Sequence, residues 1–160
     1  MSDQTTTANA TGQAAARRAY ILFTVAGTTY AIESRHVLHI EMVELVTPVP
    51  NAPAFVEGVV FSRGQVVPVI NLRSRFGFDR KALDVRTRLL VVEYAGRRVA
   101  LLVDDAREFV NLATSAIHPP NDAIGGTTGK YLDGVAMLGD RIVLILGIRE
   151  VVESAPPVAA

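Results

Sequence analysis

The stretch Ile21-Leu22-Phe23-Thr24-Val25-Ala26-Gly27-Thr28-Thr29-Tyr30-Ala31-Ile32 returns, in apolar pattern and in its Ala-Gly step, as Leu90-Val91-Val92-Glu93-Tyr94-Ala95-Gly96-Arg97-Arg98-Val99-Ala100-Leu101. The offset, 21 to 90, is 69 residues. A second match follows without a gap. Gly58-Val59-Val60-Phe61 and Val66-Val67-Pro68-Val69-Ile70-Asn71-Leu72-Arg73 return as Gly134-Val135-Ala136-Met137 and Ile142-Val143-Leu144-Ile145-Leu146-Gly147-Ile148-Arg149. Here the offset, 58 to 134, is 76, so the chain reads as one unit written twice with a single insertion, most simply in the Gly-rich stretch before Lys130.

Each match has the grammar of a hairpin: a run rich in Val, Ile and Leu, a turn signal, and a second such run. Tyr20 to Val25 and Thr29 to Glu33 turn at Ala26-Gly27, and Leu89 to Tyr94 and Arg98 to Val103 turn at Ala95-Gly96. Gly58 to Phe61 and Val66 to Ile70 close through Ser62-Arg63-Gly64-Gln65. Their copies, Gly134 to Leu138 and Arg141 to Leu146, close through Gly139-Asp140. Ser34 is placed to cap one helical turn before an extended Leu38 to Val43. Pro48, Pro50 and Pro53 make Thr47 to Ala54 a connection, and Leu72 to Phe76 and Ile148 to Val152 read as short helical ends. The expected class is all-β, in the pattern of small β-barrels with a few short helical turns.

A single repeat of about 65 residues buries only a marginal core, so the two must share apolar surface. Hydrophobic residues make up 49% of the 160, ample for that purpose. Repeat 1 spans about 19–78 and repeat 2 about 86–153. Residues 1–16 lack any apolar periodicity and are expected to form a disordered arm, and 154–160, with Pro156-Pro157, a flexible tail.

Lys+Arg and Asp+Glu are both 16, a formal net charge of zero, so no global electrostatic footprint points to nucleic acid or an anionic membrane. The absence of Cys removes disulfide and thiolate chemistry and fits a cytoplasmic setting. The longest apolar run, Ile142 to Ile148, is far shorter than the ~20 residues that span a bilayer. No apolar signal-peptide core opens the chain, which argues against export.

The motifs that invite a catalytic reading fail on spacing. Gly125-Gly126-Thr127-Thr128-Gly129-Lys130 resembles a phosphate loop, but Ile124 and Tyr131 stand where that loop needs glycine and a hydroxyl. His36 and His39 share a face only on a helix, and the run is extended by residue 39, so no metal site is expected. Asp104, Asp105 and Glu108 diverge on a strand and read as a solvated edge. With no assembled constellation and no cofactor motif, the chain is expected to be no enzyme and to need no cofactor.

Arg63 stands apart. Ahead of Gly64 at a tight turn, its planar donor fork projects from a rigid support, a placement suited to gripping a protein partner.

Residues Phe55-Val56-Glu57-Gly58-Val59-Val60-Phe61-Ser62-Arg63-Gly64-Gln65-Val66-Val67-Pro68-Val69-Ile70-Asn71-Leu72-Arg73 resemble the signature of CheW-like chemotaxis coupling proteins. Tyr131-Leu132-Asp133-Gly134-Val135 and Leu138-Gly139-Asp140-Arg141 are similar to that family's C-terminal signature, and the resemblance runs from about Tyr20 to Glu153. It implies a CheW-like domain over 17–153, made of two OB-like or SH3-like five-stranded barrels whose repeats exchange strands. It implies a non-enzymatic adaptor, associated with membrane receptor arrays from the cytoplasm. The implied partners are the cytoplasmic tips of chemoreceptors and the regulatory domain of a CheA-type histidine kinase. Val37, His39 and Arg63 match positions linked to receptor coupling, and Glu57, Gly58 and Val59 form a kinase-facing set. His39 stands where the family often has Glu, Phe61-Ser62 where it usually reads Asn-Leu or Asn-Val, and Asn71 where Asp is common. These departures bear on partner choice, because a neutral imidazole makes no ion pair of the kind a carboxylate would. An oligonucleotide-binding barrel is a rival reading, opposed by zero net charge, no Trp and only 6% aromatic residues. A small-molecule sensor with its site in the inter-lobe cleft is a third.

Overall fold

A computed structural model of the chain describes residues 16–120 and 129–155. The first repeat supplies β1 (Arg17–Val25), β2 (Thr28–Glu33), β3 (Val37–Met42), β4 (Val56–Ser62), β5 (Gln65–Asn71) and the helix α1 (Leu72–Arg75). The second supplies β6 (Arg88–Tyr94), β7 (Arg97–Val103), β8 (Asp105–Ala113), β9 (Ile117–His118), β10 (Leu132–Leu138), β11 (Arg141–Leu146) and α2 (Ile148–Ser154). Most of residues 1–16, the phosphate-loop-like stretch up to Thr128 and the tail beyond Ala155 lie outside the described residues.

The strands form two sheets, β8-β1-β2-β11-β10-β9 and β3-β6-β7-β5-β4. The first hairpin of each repeat is therefore lodged in the sheet of the other. β2 runs parallel to β11, with Tyr30 opposite Leu144, and β7 runs parallel to β5, with Ala100 opposite Val69. Apart from β9, which the second sheet lacks, the two sheets have the same order, as a duplication with exchanged hairpins requires. Even the irregularities repeat: the β3–β6 register slips between Val37 and His39, and the β8–β1 register slips between Leu22 and Phe23.

The sheets are open, which corrects the expected pair of closed barrels. The chain leaving β3 returns at Thr47 and hydrogen-bonds the free edge of β4, with Thr47 N to Val59 O at 2.9 Å and Val59 N to Thr47 O at 2.8 Å. β9 covers the matching edge of β10. With those edges occupied, β3 and β4, or β8 and β10, have no free ladder through which to close. Gly58 and its copy Gly134 mark the crossings. A Cβ on Gly58 would lie on the Thr47 carbonyl, and one on Gly134 would lie 2.5 Å from Ile117 Cγ2 and 2.9 Å from His118 O.

Both faces of the central strands are apolar because each strand serves two cores. Ile21, Phe23 and Val25 join Leu90, Val92, Leu101 and Val103 in a core between the sheets, continued by Phe23 stacked on Tyr30 at 5.7 Å and Tyr30 beside Phe76 at 5.3 Å. Tyr20, Leu22, Ala31, Val143 and Ile145 fill a cluster on the first sheet, and Val60, Val67, Val69, Val91 and Ala100 fill its equivalent on the second. Each fully buried Val, Leu, Ile or Phe contributes about 1.5–3 kcal/mol of transfer free energy. The shared central core therefore holds together two halves too small to stand alone.

Three hairpins use the same turn, a non-glycine residue at positive φ followed by glycine: Ala26-Gly27, Arg63-Gly64 and Ala95-Gly96. The fourth, Gly139-Asp140, places only its glycine at positive φ. Ser34–His36 is a 3-10 turn with no side-chain cap, so Ser34 lies inside the turn rather than capping it. Asn71 caps α1 by accepting from Ser74 N at 3.2 Å. α2 runs on to Ser154, and Ala155 is buried in the central core.

Candidate functional site

All six residues singled out from the sequence lie on the second sheet, on β3, on β4 and in the β4–β5 turn. Arg63 sits at the tip with φ 48°, exposed and, among the described residues, without an ion pair or side-chain hydrogen bond. A Cβ at Gly64 would meet nothing, so this turn is constrained by φ alone and not by packing.

Ser62 anchors the tip from within. Its Oγ donates to Glu41 Oε2 at 2.7 Å and lies 3.0 Å from His39 Nε2, while His39 also pairs with Glu41. A serine hydroxyl has one proton, here given to Glu41, so the His39 nitrogen must be the donor in its contact with Ser62. That polarity is the reverse of nucleophile activation, in which histidine takes the serine proton, and Ser62 is also buried. The trio is therefore a structural tie between β3 and β4. His39 is drawn into it with only 12% of its side chain exposed, rather than standing free on the surface.

Val37 is half-buried against the central core. Glu57 accepts from Asn71 Nδ2 at 2.9 Å and pairs with Arg80, whose other nitrogen donates to Ala54 O at 2.6 Å. Gly58 is buried beneath Thr47, and Val59 is half-buried opposite Pro68. By strand rise, Glu57 lies roughly 17 Å from Ser62, so Glu57 and the Arg63 turn are at opposite ends of β4. Two of the departures noted in the sequence meet, His39 with Ser62, and a third, Asn71, bonds Glu57.

The sequence reading missed the apolar surface around Arg63. Phe61 and Val66 face each other across the hairpin and are 74% and 51% exposed. With Met42, Leu45, Val59 and Val60 they line a groove of about 680 Å³ rimmed by Glu41 and Glu44. An arginine beside exposed aromatic and aliphatic side chains has the chemistry of a protein-binding hot spot. Period-2 alternation already put Phe61 on the face opposite buried Val60 and Ser62, the one signal that pointed to it.

Elsewhere the charged residues satisfy one another. Asp104 pairs with Arg73, Asp105 with Arg107 and Glu108 with Arg141; Asp105 and Glu108 line one small cavity together with their arginines, and Asp104 does not join it. His36 lies 3.7 Å from Glu33 and packs edge-on against Tyr94, away from His39. Burial and the neighbouring Arg35 push its pKa down. A cleft of about 510 Å³ beside it is lined by Arg18, Glu33, Arg35, Asp133 and Arg149. Burial opposes ionisation of Glu33, yet bonds from Arg35 and Arg18 hold its pKa down overall. Asp133 is exposed on β10, yet partial desolvation of its carboxyl and the nearby Glu150 and Glu33 push its pKa up. Among the described residues no group of three or more His, Cys, Asp or Glu is arranged to hold a metal ion.

The family model for the CheW-like domain matches residues 19–155. The chain belongs to the CheW-like domain family. It is 29% identical over 135 residues to the chemotaxis protein CheW of Klebsiella aerogenes, covering 84% of this chain and 81% of that protein. It is 28% identical over 133 residues to CheW of Bacillus subtilis, covering 83% and 85%. The crystal structure of the scaffolding protein TtCheW from Thermoanaerobacter tengcongensis superimposes with a TM-score of 0.76 at 26% identity, covering 82% of this chain and 84% of that one.

Proposed function

We propose that the protein is a non-enzymatic chemotaxis adaptor that couples chemoreceptors to a CheA-type histidine kinase from the cytoplasmic side of receptor arrays. Family membership supports the role, and one observation supports the working surface: an arginine with no partner among the described residues, on a tight turn beside an exposed apolar groove. Such an adaptor works by recognition alone, presenting two surfaces at a fixed separation. On this reading Arg63, with Val37 and His39 behind it, serves the receptor. Glu57, Gly58 and Val59, at the root of the hairpin, serve the kinase. Among the described residues no helix is long and apolar enough to cross a membrane, so association with the membrane would run through the receptors.

Reconstitution of receptor, kinase and this chain tests the proposal. Receptor ligand should control kinase autophosphorylation only when the chain is present. Equal control in its absence would refute the adaptor role.

A further inference from the structure

Asp104 carries more contacts than a turn residue needs. It follows β7 in the second sheet, yet its N–H donates to Thr24 O of β1 at 3.0 Å, and its Oδ2 accepts from Ala26 N, at the β1–β2 turn of the first sheet, at 2.9 Å. The same carboxylate receives Arg73, from α1 of the second sheet, through Nε at 2.9 and 3.0 Å and Nη2 at 2.9 Å. Arg73 also donates through Nη1 to Asp79 O, in the segment joining the repeats, at 3.1 Å. One carboxylate thus ties a turn of the first sheet to the root of the β4–β5 hairpin in the second. Burial works against its charge, but Arg73 and the Ala26 amide more than compensate and hold its pKa below the usual aspartate range.

The apolar core between the sheets is non-directional and resists separation more than rotation. A forked arginine–carboxylate pair resists both, because its hydrogen bonds have fixed directions. The duplicated junction is built differently. By the same offsets Arg73 corresponds to Arg149 and Asp104 to Arg35, so the acid is replaced by a base. Arg149 pairs with Glu153 at 3.5 Å within its own helix, and among the described residues that junction is spanned by Arg97 Nη2 to Ala155 O at 2.6 Å and by His36, which bonds the Glu93 backbone and packs on Tyr94. The forked clamp therefore sits at one junction and not at its copy.

We infer that Asp104 is a positioning residue: by clamping Arg73 and the Ala26 turn it fixes the relative orientation of the two sheets, and with it the geometry in which bound receptor and kinase communicate. The inference rests on the adaptor reading for its functional half only. The chain has no cysteine, so a clean pair of spin labels can be placed at the exposed positions Asn111 on β8 and Gln65 on β5. Pulsed distance measurements, separate binding to receptor tip and kinase regulatory domain, and receptor control of the kinase would be compared for wild type, Asp104→Ala and the milder Asp104→Asn.

The expected result is a broadened distance distribution, binding to each partner alone within about twofold of wild type, and at least a tenfold loss of receptor control. Asp104→Asn, which keeps an acceptor for Ala26 but loses the charge for Arg73, should be intermediate and serves if Asp104→Ala does not fold. An unchanged distribution, a broadened one with full receptor control, or loss of binding to either partner alone would each overturn the inference. If wild type itself confers no control, the adaptor reading fails, and the distance distribution alone then decides whether Asp104 sets the orientation.

Discussion

The β4–β5 and β10–β11 hairpins occupy equivalent places in the two sheets and expose equivalent apolar pairs, Phe61 with Val66 and Met137 with Ile142. Their polar trim differs. The first ends in Arg63, which has no partner among the described residues. The second ends in Gly139-Asp140, and its nearest arginine, Arg141, is paired with Glu108 through two bonds of 3.3 and 3.2 Å. Duplication copied the backbone and the hydrophobic face, and a single turn then separated the two ends. Shape is shared, and on the proposed reading selectivity rests on which cation has no partner among the described residues.

The strongest test of the shared backbone is at the crossing glycines. Gly58→Ala should cost about 3 kcal/mol, because its Cβ would meet the Thr47 backbone at a φ of 147°. Gly134→Ala should cost about half as much, since the closer of its obstacles is the side chain of Ile117, which can shift. Denaturant unfolding would measure both, and a negligible cost at either glycine would break the proposed equivalence of the crossings.

Arg63→Ala should weaken partner binding by about 2 kcal/mol while changing stability by less than about 0.5 kcal/mol. Arg141→Ala should leave binding unchanged and cost at most about 1 kcal/mol of stability, as exposed ion pairs do. Calorimetry against receptor tip and kinase domain, with thermal melts, would separate them. If the two variants bind alike, the tip asymmetry has no functional meaning. One step smaller, Phe61→Ser should lower binding by about 1 kcal/mol and Met137→Ser should not, which would show whether the groove acts together with Arg63.

The smallest effect is electrostatic. The pKa of Asp104 is lowered in the folded state, so its contribution is present above the unfolded value of about 3.9 and is lost as pH falls through the folded value. The pKa of Asp133 is raised, so its contribution is complete below that unfolded value and is lost as pH rises through the folded one. Asp133→Asn should therefore raise the melting temperature slightly at pH 7 and not at pH 3, whereas Asp104→Asn should lower it at pH 7. Melts at the two pH values check both signs.

Much of this fold was legible in the chain. The two offsets located four hairpins and their glycine turns, because apolar alternation and positive φ are local properties. β8 was missed: its Asp105-Ala106-Arg107-Glu108 start reads as a polar edge. Yet the 69-residue offset carries β3 onto 106–111, so the repeat itself held the signal. Barrel closure was misjudged because nothing local reveals that Thr47 and β9 take the edges on which closure depends. Of the candidate site, the exposed turn position of Arg63 was legible, because it follows from the hairpin. The ties of His39 to Ser62 and of Glu57 to Arg80 were not, since alternation gives the face of a side chain but not the strand lying across from it.

The hairpin exchange has a consequence for how the chain comes into being. β1 must find β8, with Arg17 opposite Ala113, and β6 must find β3, with Val92 opposite Val37, before the two sheets have their full sets of strands. Each repeat alone would hold a hairpin with no home and a half-sheet with a gap, the makings of a swapped dimer. Joining the two copies through the segment around residues 79–87 turns that encounter from a bimolecular collision into a loop closure, at an effective concentration of order millimolar. The duplication thus replaces a concentration-dependent assembly with a single-chain one, and a chain cut in this segment should regain its structure only when both fragments are present together.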